Sequence, residues 1–99
     1  MFGYVSLPPG VEDDVPARWR REVESFATTR GYHLAGVFSD VRGTGDSGFY
    51  ALITALRHED AVAVVVPDAT HLDAVGCLVG ADLRAAGRYL RARVLVASG

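Results

Sequence analysis

The stretch AVAVVVPDATHLD, residues 61 to 73, drives a run of small and β-branched residues into Asp68, Thr70 and His71. In open α/β sheets the residues at the carboxyl ends of the strands face the ligand crevice, so an aspartate and a histidine delivered there are candidates for chemistry. A third candidate is Ser6, near the end of the apolar stretch FGYVSL. If the two strands end side by side, Ser6, His71 and Asp68 read as nucleophile, base and orienting carboxylate. A serine hydroxyl gains nucleophilic power when an imidazole within hydrogen-bond reach takes its proton. The competing structural account is a helix cap, with Thr70 or Asp68 accepting bonds from the free amides that open the next helix.

Two further groupings carry chemistry. Asp40, Asp46 and Asp68 have the carboxylates that magnesium prefers, but aspartates at such positions also cap helices and close turns, and neither a metal nor a cofactor is expected. The loop RGTGDSG, residues 42 to 48, offers glycines and backbone amides suited to cradling an anion, with Arg42 as charge partner. Asp40, Arg42, Asp46 and Ser47 are therefore the candidate ligand-binding residues. The loop's spacing matches neither standard nucleotide fingerprint, and a flexible turn is the structural alternative. A receiver domain with Asp68 as phosphoacceptor is excluded: no acidic pair follows the first strand directly, and the chain has no lysine.

These residues need elements to position them. Residues 2 to 7 read as a strand stopped by Pro8, Pro9 and Gly10. Pro16 suits the first turn of a helix. Trp19, Val23, Phe26 and Ala27 recur at helical spacing, with Trp19 as core anchor, and Gly31 ends the helix. Residues 32 to 40 predict a second strand. A second helix follows, with Ser47 as cap and Tyr50, Leu52, Ile53 and Leu56 as its buried stripe. Residues 61 to 66 are continuously apolar, as in a parallel strand covered on both faces. Residues 71 to 90 predict a third helix and 92 to 97 a fourth strand. Strands and helices in alternation, joined by short connections, require right-handed crossovers. The fold class is a three-layer α/β/α domain with a small, mostly parallel four-stranded sheet, spanning residues 1 to 99 as one domain.

Composition narrows the function. A net charge of -2 lacks the basic footprint of a domain that grips nucleic acid unaided, so autonomous nucleic-acid binding is not expected. All ten basic residues are arginine, and lysine, asparagine and glutamine are missing, a bias of GC-rich, actinobacterial-like genomes. The lone Cys77 permits no internal disulfide and suits a reducing cytoplasm. The start MFGYVSLPPGVEDD lacks the basic opening of a signal peptide. No apolar run reaches the ~20 residues needed to span a bilayer. A cytoplasmic protein without membrane contact is expected.

The residues at these strand ends resemble the catalytic domain of resolvase/invertase-type serine recombinases. That family opens on a strand ending Arg-Val-Ser, whose serine attacks a DNA phosphodiester; the matching residues are Tyr4, Val5 and Ser6. GYHLAGVFSD with Asp40, DSG with Ser47 and Gly48, and VVVPDATHL with Asp68 fit the family's later patterns. The resemblance implies a resolvase-like sheet of order 2-1-3-4. The departures concern arginines. Tyr4 replaces the first, Ala69 and Leu72 replace the pair after Asp68, and Arg57 lies too far along to replace the one expected after Ser-Gly. Clustered arginines are needed because charge builds on the scissile phosphate in the transition state. The family's long helix after the last strand and its DNA-binding domain are not expected in this chain, and the acidic Glu12, Asp13 and Asp14 beside Ser6 oppose a phosphate backbone.

The resulting expectation is a truncated, catalytically degenerate recombinase-like domain with Ser6, Asp68 and His71 as vestiges. Its role would be that of a protein-interaction or regulatory module, self-association included. Two alternatives stand beside it: a small-ligand binder or hydrolase using a pocket at Ser6, Asp40, Asp68 and His71, and a silent modulator of an active DNA recombinase. The segment RYLRAR, with Arg88, Arg91 and Arg93, is the one local basic patch and suits a weak contact with phosphate or an acidic partner.

Overall fold

The computed structural model describes residues 1–12, 14–45, 47–59, 63–68, 71, 88 and 90–97. Expectations for Asp46, Thr70 and Cys77, and for all of the third helix but His71 and its end, lie outside the described residues. Six elements follow in order: β1 (Phe2–Leu7), α1 (Asp14–Thr29), β2 (Gly36–Val41), α2 (Ser47–Glu59), β3 (Ala63–Val66) and β4 (Arg93–Val96). The strands form one sheet of order β2-β1-β3-β4. Each pair is parallel, so the sheet is all-parallel rather than mostly so. No helix of the described residues is long and apolar enough to cross a membrane.

Alternation along β1 sorts its side chains between two helical layers. Gly3 and Val5 face α1, where a Cβ on Gly3 would stand 2.7 Å from Cγ1 of Val23; the missing side chain lets α1 approach. Phe2 and Tyr4 face α2 and join Phe49, Leu52, Leu56, Val64, Val66, Leu90 and Ala92 in the main core. Val64, Val65 and Val66 are fully buried, each stabilising the fold by roughly 1.5–3 kcal/mol. The continuous apolar run therefore marks a strand covered on both faces.

Several local expectations change. Tyr50 is 51% exposed, and Phe49, fully buried, takes its place on the inner stripe with Leu52 and Leu56. With the helix opening at Ser47, the inward positions are Phe49 and those three and seven residues later. The second strand starts at Gly36, not residue 32. The Tyr32 amide closes α1 by donating to the Ala27 carbonyl, with Gly31 at φ 77°, and pairing begins only where Phe2 meets Gly36. Trp19 is half-buried instead of anchoring the core; Val23 and Ala27 are the buried residues of α1.

The two sides of β1 are unequal. All six of its residues pair with β2, but only Phe2 and Gly3 pair with β3. Beyond Gly3 the chain after β3 turns away through Pro67 and Asp68, leaving the upper half of β1 to find other partners.

Candidate functional site

Ser6 stands on that upper half, at the carboxyl-terminal edge of the sheet, and is completely buried. Its amide points toward the side that β3 has vacated and donates to Nδ1 of His71 at 2.9 Å. The imidazole thus replaces the ladder partner that a longer β3 would supply, meeting the rule that buried amides find an acceptor. The Ser6 hydroxyl instead accepts from Nε of Arg42 at 3.3 Å. Arg42 is placed by its own amide, which donates to the Leu7 carbonyl at 2.8 Å and so extends the β1–β2 ladder by one bond.

His71 is held from three sides. Its amide donates to the Asp68 carbonyl at 3.3 Å, Nε2 lies 3.8 Å from Oδ2 of Asp68, and the Trp19 ring meets it edge-on at 4.4 Å between centroids. The imidazole is 1% exposed. Burial lowers its pKa below 6.5, with Arg42 acting in the same direction and Asp68 opposing. The neutral ring keeps the Nδ1 lone pair that the Ser6 amide needs, and its one proton sits on Nε2, toward Asp68.

The other half of the edge is built on Asp40. Oδ1 accepts from the Gly48 amide at 2.7 Å, and Oδ2 accepts from the Phe49 amide at 2.8 Å and the Tyr4 hydroxyl at 2.7 Å. A carboxylate at a helix start satisfies unpaired amides and complements the helix dipole. The cap of α2 therefore comes from Asp40 at the end of β2, not from the exposed Ser47. Tyr4→Phe is expected to cost about 1 kcal/mol, the usual worth of one hydrogen bond, read as a lower urea midpoint. An unchanged midpoint would show that the cap does not need the hydroxyl.

The sheet brings Ser6, Asp68 and His71 together, but the link between Ser6 and His71 runs through the backbone amide, and the hydroxyl belongs to Arg42. Asp40 and Arg42 flank them; Ser47 lies exposed at the start of α2. Among the described residues no group of three His, Cys, Asp or Glu can hold a metal. Sequence reasoning missed Tyr4 as the partner of Asp40 and Trp19 as the wall behind His71. The first had a signal, since Tyr4 and Ser6 are two apart in a strand and share a face. The second had none, because α1 and the turn at residue 71 meet only in the fold.

No protein-family model matches the chain, and no curated protein sequence does. Among solved structures the chain is similar to the C-terminal catalytic domain of ISC1926 TnpA, an IS607-like serine recombinase. The TM-score is 0.66 at 15% identity, covering 100% of this chain and 69% of that one. At that identity the likeness is one of fold, and the fold is that of a serine recombinase catalytic domain.

Proposed function

We propose that this chain is a recombinase-fold module that does not cleave DNA and acts in the cytoplasm through protein contacts, as an interaction or regulatory partner. The observation that carries this reading is the closed state of Ser6: fully buried, its amide on His71 and its hydroxyl on Arg42. Attack on a phosphodiester needs an accessible hydroxyl and several cations around the phosphate. Among the described residues Arg42 is the one arginine bonded to Ser6, and Tyr4, where the resemblance expects arginine, bonds to Asp40. Serving as a silent subunit beside an active recombinase is one form of this role.

The reading of a hydrolase or small-ligand pocket at Ser6, Asp40, Asp68 and His71 receives less support. A groove of about 330 Å³ does exist, but Val5, Leu7, Pro16, Ala17, Arg20, Val37 and Ser39 line it, on the face opposite the Ser6 hydroxyl.

The test is incubation with supercoiled and nicked duplex DNA, followed by denaturing electrophoresis for a covalent protein–DNA adduct. None is expected from the parent or from Ser6→Ala. An adduct formed by the parent and lost in Ser6→Ala would overturn the proposal.

A further inference from the structure

All strands are parallel, so every strand begins at one edge of the sheet and ends at the other, and the charges divide along that axis. The amino-terminal edge collects Arg57 and His58 in the last turn of α2, Arg88 and Arg91 at the close of the last helical segment, and Arg93 at the start of β4. Leu56, Leu90 and Ala92 share one core cluster, which draws these segments together. All five basic residues are exposed, and Glu59 is the one acid at that edge among the described residues. The carboxyl-terminal edge carries Glu12 and Asp14, both exposed, and Asp68, whose side chain is 46% exposed; its cations are Arg42, whose Nε is turned onto the Ser6 hydroxyl, and Arg18, one turn into α1.

The ion pairs found among the described residues, Arg20 with Glu24 and His71 with Asp68, include none of the four edge arginines and neither Glu12 nor Asp14. Helix polarity explains Arg57 and His58, since cations suit a helix carboxyl end. It does not explain Arg91, which holds φ 56°. A left-handed backbone strains any residue with a Cβ, and glycine is the usual choice just past a helix. An exposed arginine at a position that favours glycine is not accounted for by the local backbone, which leaves its guanidinium free to serve a contact.

We infer that the basic amino-terminal edge, centred on Arg91 and Arg93, docks onto the acidic carboxyl-terminal edge of a second copy of this chain, near Glu12 and Asp14. The inference rests on the protein-contact reading above and names the partner. The two surfaces differ, so the contact is head-to-tail and open-ended rather than a closed dimer. Its electrostatic origin makes it weaken as salt rises.

Light scattering across concentration and ionic strength tests the pairing. The parent's average mass should rise with concentration at low salt without stopping at twice the monomer, and fall when salt is added. Arg91→Glu with Arg93→Glu should remain monomeric, as should Glu12→Arg with Asp14→Arg. An equimolar mixture of the two variants should associate again, because each then offers the edge the other lacks; recovery also shows that both are folded. Arg91→Gly should weaken association yet melt no lower than the parent, a combination that a purely structural role for Arg91 would not produce. A parent that stays monomeric, or a mixture that does not recover, overturns the pairing, as does an amino-terminal edge that retains nucleic acid while the chain stays monomeric. The DNA-adduct assay tests the non-catalytic reading separately, so one can fail without the other.

Discussion

Gly48→Ala is expected to destabilise the protein by about 3 kcal/mol, a large fraction of the roughly 5–15 kcal/mol that holds a domain together. A Cβ at this position would collide with the Ser39 carbonyl oxygen and lie 2.8 Å from its carbon. Both are backbone atoms of β2 and cannot swing aside like a side chain. Accommodating the methyl group means lifting the start of α2 away from β2, which pulls the Gly48 and Phe49 amides from Asp40. Hydrogen bonds to a charged acceptor contribute about 1.5–3 kcal/mol each, and overpacking adds about 1–3 kcal/mol, so 3 kcal/mol allows for partial relief. Gly43→Ala is the control. It has open space around its missing Cβ but φ 85°, so it should cost only about 1–2 kcal/mol of left-handed strain. Urea midpoints measure both. Equal losses would mean that close approach at Gly48 is not what holds α2 to the sheet.

His71→Ala should cost a similar amount, about 3 kcal/mol. It leaves the buried Ser6 amide without its acceptor, at about 1–3 kcal/mol, and opens a hole beside Trp19 whose lining cannot fully collapse. The same residue sets a pH dependence. Burial holds the folded pKa below the ordinary 6.5, so between the two values the unfolded chain binds the extra proton. Stability therefore rises with pH through that window. It is fully present above pH 6.5 and declines as pH falls from there toward the folded value. One proton limits the slope to about 1.4 kcal/mol per pH unit. The single tryptophan, Trp19, touches the His71 ring, so its fluorescence can follow urea unfolding from about pH 8 to about pH 5. The parent should lose stability across the acid half of that range, and His71→Ala should lose much less. Parallel curves would show that another group governs the change.

How far each feature could be read in advance follows from how local its cause is. The buried β3 was legible because a short, valine-rich run that is apolar at every position fits a strand covered on both faces, and α1 because its apolar residues repeat at helical spacing. The start of β2 was not legible. Tyr32 and Leu34 look like strand residues, but Gly31 and Tyr32 close the helix, and a strand begins only where a neighbour offers its edge. Tyr50 and Phe49 could not be ranked either. One residue's shift in the start of a helix rotates its face by about 100°, and that start is set by Asp40, from another element.

The candidate site divides in the same way. Residue types and the order of the elements alone determined that Ser6, Asp40, Asp68 and His71 would gather at the carboxyl-terminal edge of a parallel sheet, because parallel strands joined by right-handed crossovers bring all their ends to one side. What those residues do to one another was decided only by the tertiary structure. β3 leaves β1 after two pairs, so the Ser6 amide needs an acceptor and takes the imidazole in place of the hydroxyl. Asp40 is drawn to the amides of α2 and to Tyr4, and Arg42 closes over Ser6 instead of the glycine loop. Bonds of this kind depend on distances of about 3 Å between groups far apart in the chain, a scale on which side-chain spacing along a sequence carries no information.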